Sequence, residues 1–213
     1  MSAPQIDLRR EAFPLTTTHH DLLRWLVEAG RPGTVLEIGT NRGGSAVALM
    51  SLVPDDAHFL LTVDPWGSCP YHGQERSEYN DAVQRMAMCD LAEIAARHGV
   101  NWHHLKMSSD ELWPVLRELR GVWYAGALRP YQFETIFLDA EHWWPAMQLD
   151  LEQGAARLNP RGVIFVDNVN HAQSDGSAGF VELLERWAKE HRFALELRAF
   201  DDGDHAARLE SRG

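Results

Sequence analysis

The sequence holds only two cysteines, Cys69 and Cys89, in 213 residues. So few, and so spaced, they exclude a disulfide framework and a paired-cysteine zinc motif. No apolar run approaches the roughly 20 residues of a membrane-crossing helix. The first residues, Met1 to Glu11, carry Asp7, Arg9, Arg10 and Glu11 where a secretory signal would be apolar. A cytoplasmic protein without membrane contact is the expectation. Positive charge is scarce as well: 20 Lys and Arg stand against 31 Asp and Glu, a formal net charge of −11. The basic residues are scattered, which opposes a phosphate-binding surface and therefore a nucleic-acid partner. Repeats, low-complexity tracts and long linkers are missing too, which leaves one domain over residues 1–213.

What is present is a globular composition, 45% hydrophobic and 24% charged, arranged in alternating strand-like and helix-like segments. Helices are expected over Thr18–Ala29, Ser45–Leu52, Tyr79–His98, Asp110–Leu119, Trp144–Leu158 and Phe180–His191. Strands are expected over Thr34–Ile38, His58–Val63, Asn101–Met107, Phe133–Leu138, Gly162–Val166 and Phe193–Phe200. The stretch from Pro65 to Gln74 reads as a loop, and Gly121 to Tyr131 as an aromatic connection. Strand–helix alternation predicts an α/β fold: a doubly wound, mostly parallel, Rossmann-like sheet with helices on both faces. In such sheets ligands gather beyond the C-terminal ends of the strands.

Those ends carry the informative residues. The first strand runs through Glu37 and Ile38 into Gly39-Thr40-Asn41-Arg42-Gly43-Gly44-Ser45, a glycine-rich turn that lets backbone approach a ligand. Its spacing fits neither G-x-G-x-x-G nor a P-loop, which disfavours dinucleotides and triphosphates. Glu37 would repel phosphate but suits a cationic group. Asp64, closing the second strand, is placed to accept hydrogen bonds from ribose hydroxyls.

These residues resemble the class I S-adenosylmethionine-dependent methyltransferases, whose first motif has the form E-x-G-x-x-x-G. The resemblance implies Glu37 at the amino group of the cofactor's methionine part, Gly39, Thr40, Asn41, Gly43 and Ser45 around the cofactor, and Asp64 on its ribose. It further implies Ser109 and Asp110 near the adenine.

The fourth strand ends Leu138-Asp139-Ala140-Glu141-His142 and the fifth ends Val166-Asp167-Asn168. If the two are neighbours, about 4.8 Å apart, Asp139, Asp167 and Asn168 converge as hard oxygen donors. The pattern, with Asp139 and Asp167 28 positions apart, resembles the metal-dependent O-methyltransferases of the catechol and macrolide natural-product branches. This implies those three residues as ligands of a divalent metal such as Mg²⁺, with Asp139 also bordering the cofactor. Catechol enzymes place Lys three positions after the first metal Asp, whereas this chain has His142, as the macrolide enzymes do. An imidazole of ordinary pKa, about 6.5, can take a hydroxyl proton near neutrality, so His142 is the candidate general base. The expected acceptor is a small hydroxylated molecule. A metal-independent methyltransferase and a non-catalytic cofactor-binding subunit remain as rivals. Glu141 is expected at the surface, and the His19-His20 and His103-His104 pairs as surface or packing residues. Trp123, Tyr124, Trp143 and Trp144 are expected in the core or at an interface, and the segment from Gly121 to Tyr131 is a candidate homodimer contact.

Overall fold

A computed structural model describes residues 4–15, 19–65, 81–119, 121–124, 127–129, 131–170 and 179–212. The expected loop after Pro65, Cys69, and the side chains of Trp123 and Tyr124 with the proposed dimer contact lie outside the described residues.

The chain opens with a short helix, α1 (Leu8–Glu11), and a 3₁₀ turn before α2 (His20–Ala29). There follow β1 (Val35–Ile38), α3 (Gly44–Met50), β2 (Leu60–Val63), α4 (Asp81–His98), β3 (Trp102–Leu105) and α5 (Ser109–Glu118). Then come β4 (Val122–Tyr124), β5 (Ala127–Arg129), β6 (Phe133–Leu138), α6 (Trp144–Ala155), β7 (Leu158–Val166), α7 (Phe180–Glu190), β8 (Phe193–Ala199) and β9 (His205–Ser211). Seven strands form one sheet in the order β3-β2-β1-β6-β7-β9-β8. β1 pairs in parallel with both β2 and β6, and β6 with β7. The winding direction reverses between β1 and β6, so a crevice opens above their C-terminal ends.

Side chains alternate across the sheet and divide the core in two. Leu36, Ile38, Leu61, Val63, Ile136, Leu138, Ile164 and Val166 pack with residues of α5, α6 and α7. Val35, Leu60, Phe137, Val163 and Phe165 pack with α2, α3 and α4. The helices fit these faces through their spacing: α7 buries Phe180, Leu183, Leu184, Trp187 and Ala188, one stripe at three- and four-residue steps. α5 begins at a capping box in which Ser108 and Glu111 satisfy each other's end of the first turn.

The structure departs from the expected alternation in three places. The connection from Gly121 to Tyr131 contains an antiparallel pair, β4 with β5. β7 starts at Leu158, where the sequence suggested helix, because an irregularity absorbs the turn-like residues Asn159 to Gly162: Phe133 pairs with Leu158, but Thr135 already pairs with Val163. β9 was not expected at all; it inserts between β7 and β8, antiparallel to both. Its centre, Ala206-Ala207, is fully buried, yet alanine carries little strand signal.

Phe165 is fully buried and meets the Trp25 ring edge-on at 5.1 Å between centroids. Phe165→Ala is expected to cost about 3–5 kcal/mol, read as a lower urea midpoint with an unchanged slope.

Candidate active site

The turn after β1 is shaped by contacts inside the protein. Gly39 has φ 93°, and a Cβ there would stand 1.9 Å from the carbonyl oxygen of Asp139. Only glycine lets β1 leave the sheet this close to the end of β6. A Cβ on Gly43 (φ 90°) would meet Leu91 of α4 at 2.9 Å. Thus both glycines are demanded by packing, whatever they also offer a ligand. Asp64 Oδ2 accepts the backbone N–H groups of Thr40 and Asn41, each at 2.9 Å, so this carboxylate ties the turn to the end of β2. Thr40 is buried, Ser45 half-buried in the first turn of α3, and Asn41 exposed with φ 45°.

Glu37 is fully buried, and neither carboxylate oxygen makes a hydrogen bond of normal geometry. Burial pushes its pKa from 4.5 up to about 8, against a smaller pull from the nearby Ser45 and Thr40 hydroxyls. A buried carboxyl without a partner is costly; a cationic group docked over the turn would relieve it.

Asp139 and Asp167 follow paired strand ends, since Leu138 and Val166 are in register. The Asp139 side chain keeps 29% of its surface open to the crevice. Burial of the remainder is still the largest cause holding its pKa well above the usual carboxylate range, followed by Asp167, Glu37, Asp64 and Asp204. Asp167 is 2% exposed. Burial raises it to about 6, while His19 and hydrogen bonds from Asn168 pull it back. Asn168, at φ 55°, donates Nδ2 to Asp167 Oδ2 at 2.6 Å, which turns its amide oxygen away from that carboxylate. Asp167 Oδ1 has no hydrogen-bond partner. His142 Nε2 lies 3.7 Å from Asp139 Oδ1, with 20% of the side chain exposed. The sequence-selected residues Glu37, Asp64, Asp139, His142, Asp167 and Asn168 therefore share one crevice.

Others are placed differently. Ser109 hydrogen-bonds Asp150 of α6, a buried carboxylate that also accepts Trp113 Nε1 at 2.7 Å, and Asp110 is exposed. These contacts give Ser109 a structural task. Glu141 is half-buried. Trp144 joins the core and Trp143 is 42% exposed. His104 contacts the Thr62 hydroxyl at 2.9 Å, and burial, then Lys106, lowers its pKa to about 4; it is a packing residue, as expected. Sequence reasoning missed Asp202 and Asp204, which meet His19 beside Asp167. The separation of Asp202 from His19, 183 residues, hides the link; the one local signal is the acidic turn Asp201-Asp202-Gly203-Asp204. A cavity of about 680 Å³ lined by Phe59, His103, Leu116, Tyr131 and Glu134 opens near the opposite, N-terminal ends of the strands and shares none of these groups.

Glu37 sets a pH dependence. The folded state keeps its proton up to about 8 whereas the unfolded chain releases it near 4.5. The resulting stabilisation is complete below 4.5 and is lost as pH rises toward 8. In urea titrations without cofactor, wild type should lose stability relative to Glu37→Gln across that window; a difference independent of pH would contradict it.

A family model described as a methyltransferase domain matches residues 36–169, the span from β1 past Asn168. No curated protein matches the sequence. Among solved structures, the O-methyltransferase TomG of Streptomyces achromogenes, involved in tomaymycin synthesis and solved with S-adenosylmethionine, is 19% identical with a TM-score of 0.62, covering 98% of this chain and 92% of its own. A Bacillus cereus O-methyltransferase solved with S-adenosylhomocysteine is 15% identical with a TM-score of 0.57, covering 92% and 82%. A precorrin-6y C5,15-methyltransferase of Geobacter metallireducens is 11% identical with a TM-score of 0.57, covering 93% and 91%. Among the described residues no helix is long and apolar enough to cross a membrane. With the family motif, the strand order and the crevice in agreement, the chain belongs to the methyltransferase-domain family and is a class I, S-adenosylmethionine-dependent methyltransferase.

Proposed function

We propose that this enzyme transfers the methyl group to a hydroxyl oxygen of a small molecule, with a divalent cation such as Mg²⁺ held by Asp139, Asp167 and Asn168. The observation that carries the reading is the Asp139–Asp167 pair. Two carboxylates stand on adjacent strand ends, Asp167 raises the pKa of Asp139, and Asp167 Oδ1 is buried without a hydrogen bond. Such a pair is relieved by a shared proton or by a cation. The two carboxylates suit a hard divalent ion, and Asn168 would complete the donor set by an amide flip that turns its oxygen, in place of Nδ2, toward the ion.

When bound, the cation supplies positive charge that acidifies a coordinated hydroxyl, and the cofactor supplies the methyl group. Glu37 holds the cofactor's ammonium through its otherwise unpartnered carboxylate. Asp64 keeps Thr40 and Asn41 in the conformation that forms the cofactor's floor. Ser109 and Asp110 border the adenine side of the crevice. His142 takes the acceptor proton and, being partly exposed, passes it to solvent. Holding acceptor oxygen and methyl carbon in line is the protein's largest contribution. The net charge of −11 favours a small acceptor over nucleic acid.

The test is turnover of ¹³C-methyl-labelled cofactor with a panel of catechols and hydroxylated sugars, the carbon shift of the product reporting whether oxygen, nitrogen or carbon received the methyl. Transfer to oxygen that stops in chelator and in Asp139→Asn supports the reading; full activity in chelator would move the enzyme to the metal-independent class. His142→Gln should lower kcat about 100- to 10,000-fold while leaving cofactor affinity unchanged. Glu37→Gln should weaken cofactor binding about 10- to 100-fold, from loss of one charged hydrogen bond, measured by calorimetry.

A further inference from the structure

β8 closes one side of the sheet and pairs with β9 alone. Its register with β9 is unbroken from Phe193 opposite Ser211 to Ala199 opposite His205, and the main-chain bonds just beyond its two ends fix which groups it leaves over. Arg212 N–H donates to the Arg192 carbonyl at 3.3 Å, and Phe200 N–H to the Asp204 carbonyl at 2.9 Å. Bonded pairs alternate along an antiparallel ladder, so the even-numbered residues between these two turn their N–H and C=O toward β9. Phe193, Leu195, Leu197 and Ala199 therefore turn theirs outward. The last four residues of β8 are exposed, Leu197 at 44%.

A free edge is a template for another strand, and proteins blunt it with Lys, Pro, a bulge or brevity. The opposite edge follows that rule: β3 has four residues, and Lys106 comes directly after it. β8 has seven residues, neither Lys nor Pro among them, and no irregularity in its ladder. Its charges, moreover, complement themselves about Leu197. Glu196 and Arg198 flank that residue on the face toward α2, where the Arg198 guanidinium lies over the rings of Trp25 and Phe200 at 5.6 and 5.7 Å. Glu196 stands 3.6 Å from Arg208 and keeps 54% of its side chain open to a second cation. Leu195 and Leu197 alternate to the other face, where Leu195 packs against the half of the core that holds α7.

We propose that two copies of this chain associate through β8, antiparallel about a two-fold axis at Leu197, so that the sheet of one protomer continues into the other. In that register the outward N–H and C=O groups of Leu195, Leu197 and Ala199 meet those of Ala199, Leu197 and Leu195 in the second copy, which satisfies the edge of both. Glu196 then faces Arg198 of the other copy, and Arg198 faces its Glu196, in the non-bonded pairs where cross-strand side chains come closest. Leu197 meets its own copy and loses its exposure. Moving the axis one residue either way would set Glu196 against Glu196 or Arg198 against Arg198, which like-charge repulsion disfavours. The charges thus select the register, and a second copy of the chain is the occupant they fit. The association draws on no residue of the Gly121–Tyr131 segment, and it does not rest on the proposed acceptor or cation.

The experiment measures the mass of the full chain by light scattering over a concentration series, with amide hydrogen exchange followed alongside. Wild type should be a dimer whose Leu195, Leu197 and Ala199 amides gain protection as concentration rises, a readout that needs no variant. Arg198→Glu and Glu196→Arg each set like charges face to face and should weaken the dimer about 10- to 100-fold. Mixed in equal amounts, the two variants should form a one-to-one heterodimer, since every acidic position then faces a basic one; association on mixing also shows that both are folded. Leu197→Pro removes an outward N–H and leaves the ladder with β9 intact, so it should give a monomer that keeps its cofactor affinity. A wild type that stays monomeric with those three amides unprotected, or a dimer that both charge reversals leave equally tight, would overturn the proposal.

Discussion

Carboxylates crowd one end of one face of the sheet, and the architecture of the site follows from how they are held there. Strand alternation sends Glu37, Asp139 and Asp167 toward the α2–α3 side, because their neighbours two positions earlier, Val35, Phe137 and Phe165, pack in that half of the core. Parallel registry then sets them at successive strand ends. In water such neighbours would repel by about 1 kcal/mol per close pair; in a shielded crevice the repulsion is several times larger. The protein meets this by holding protons: Glu37 and Asp139 are both raised, with burial the main cause and their acidic neighbours adding to it.

Local geometry keeps this crowd from relaxing. Gly39 passes so close to the Asp139 carbonyl that no side chain fits, which fixes the start of the turn after β1 against the end of β6. Asp64 then draws the next two N–H groups toward β2. The turn is therefore spanned by β1, β2 and β6, and its conformation is inherited from the sheet rather than induced by a ligand. Preorganisation of this kind reduces the ordering cost of binding. A change in any of the three strands would reach the turn.

The central half of this arrangement was legible in the sequence because its signals are local. Hydrophobic runs marked β1, β2 and β6, and an acid or glycine directly after each run marked the crevice. The strand Phe133–Leu138 was read to the residue, since aromatic and branched residues fill it. The C-terminal part was illegible for a physical reason: β9 is buried between two strands, where alanines suffice and no alternation shows. With β9 unseen, the position of the Asp202–Asp204 turn could not be known, and His19 had no visible partner. The hairpin of β4 and β5 was hidden among aromatic and glycine residues that read equally well as a loop. The hydrogen bond of Ser109 to Asp150 of α6 was hidden too, since its partner lies 41 positions along the chain.

Held protons and bound cations are alternative solutions to the same repulsion, and the reaction proposed here uses the exchange between them. If Glu37 receives the ammonium as proposed, it must give up its proton at neutral pH, so the work of ionising it would lower cofactor affinity while favouring cationic ligands. The same logic applies where Asp139 and Asp167 meet a metal ion. The proposed methyl transfer from sulfonium to an oxyanion would remove one positive and one negative charge from the crevice, leaving a neutral ether and a neutral thioether that the carboxylates no longer attract. The acidic wall attracts the cationic cofactor more than its neutral thioether product, and this would assist release of that product rather than the chemical step itself.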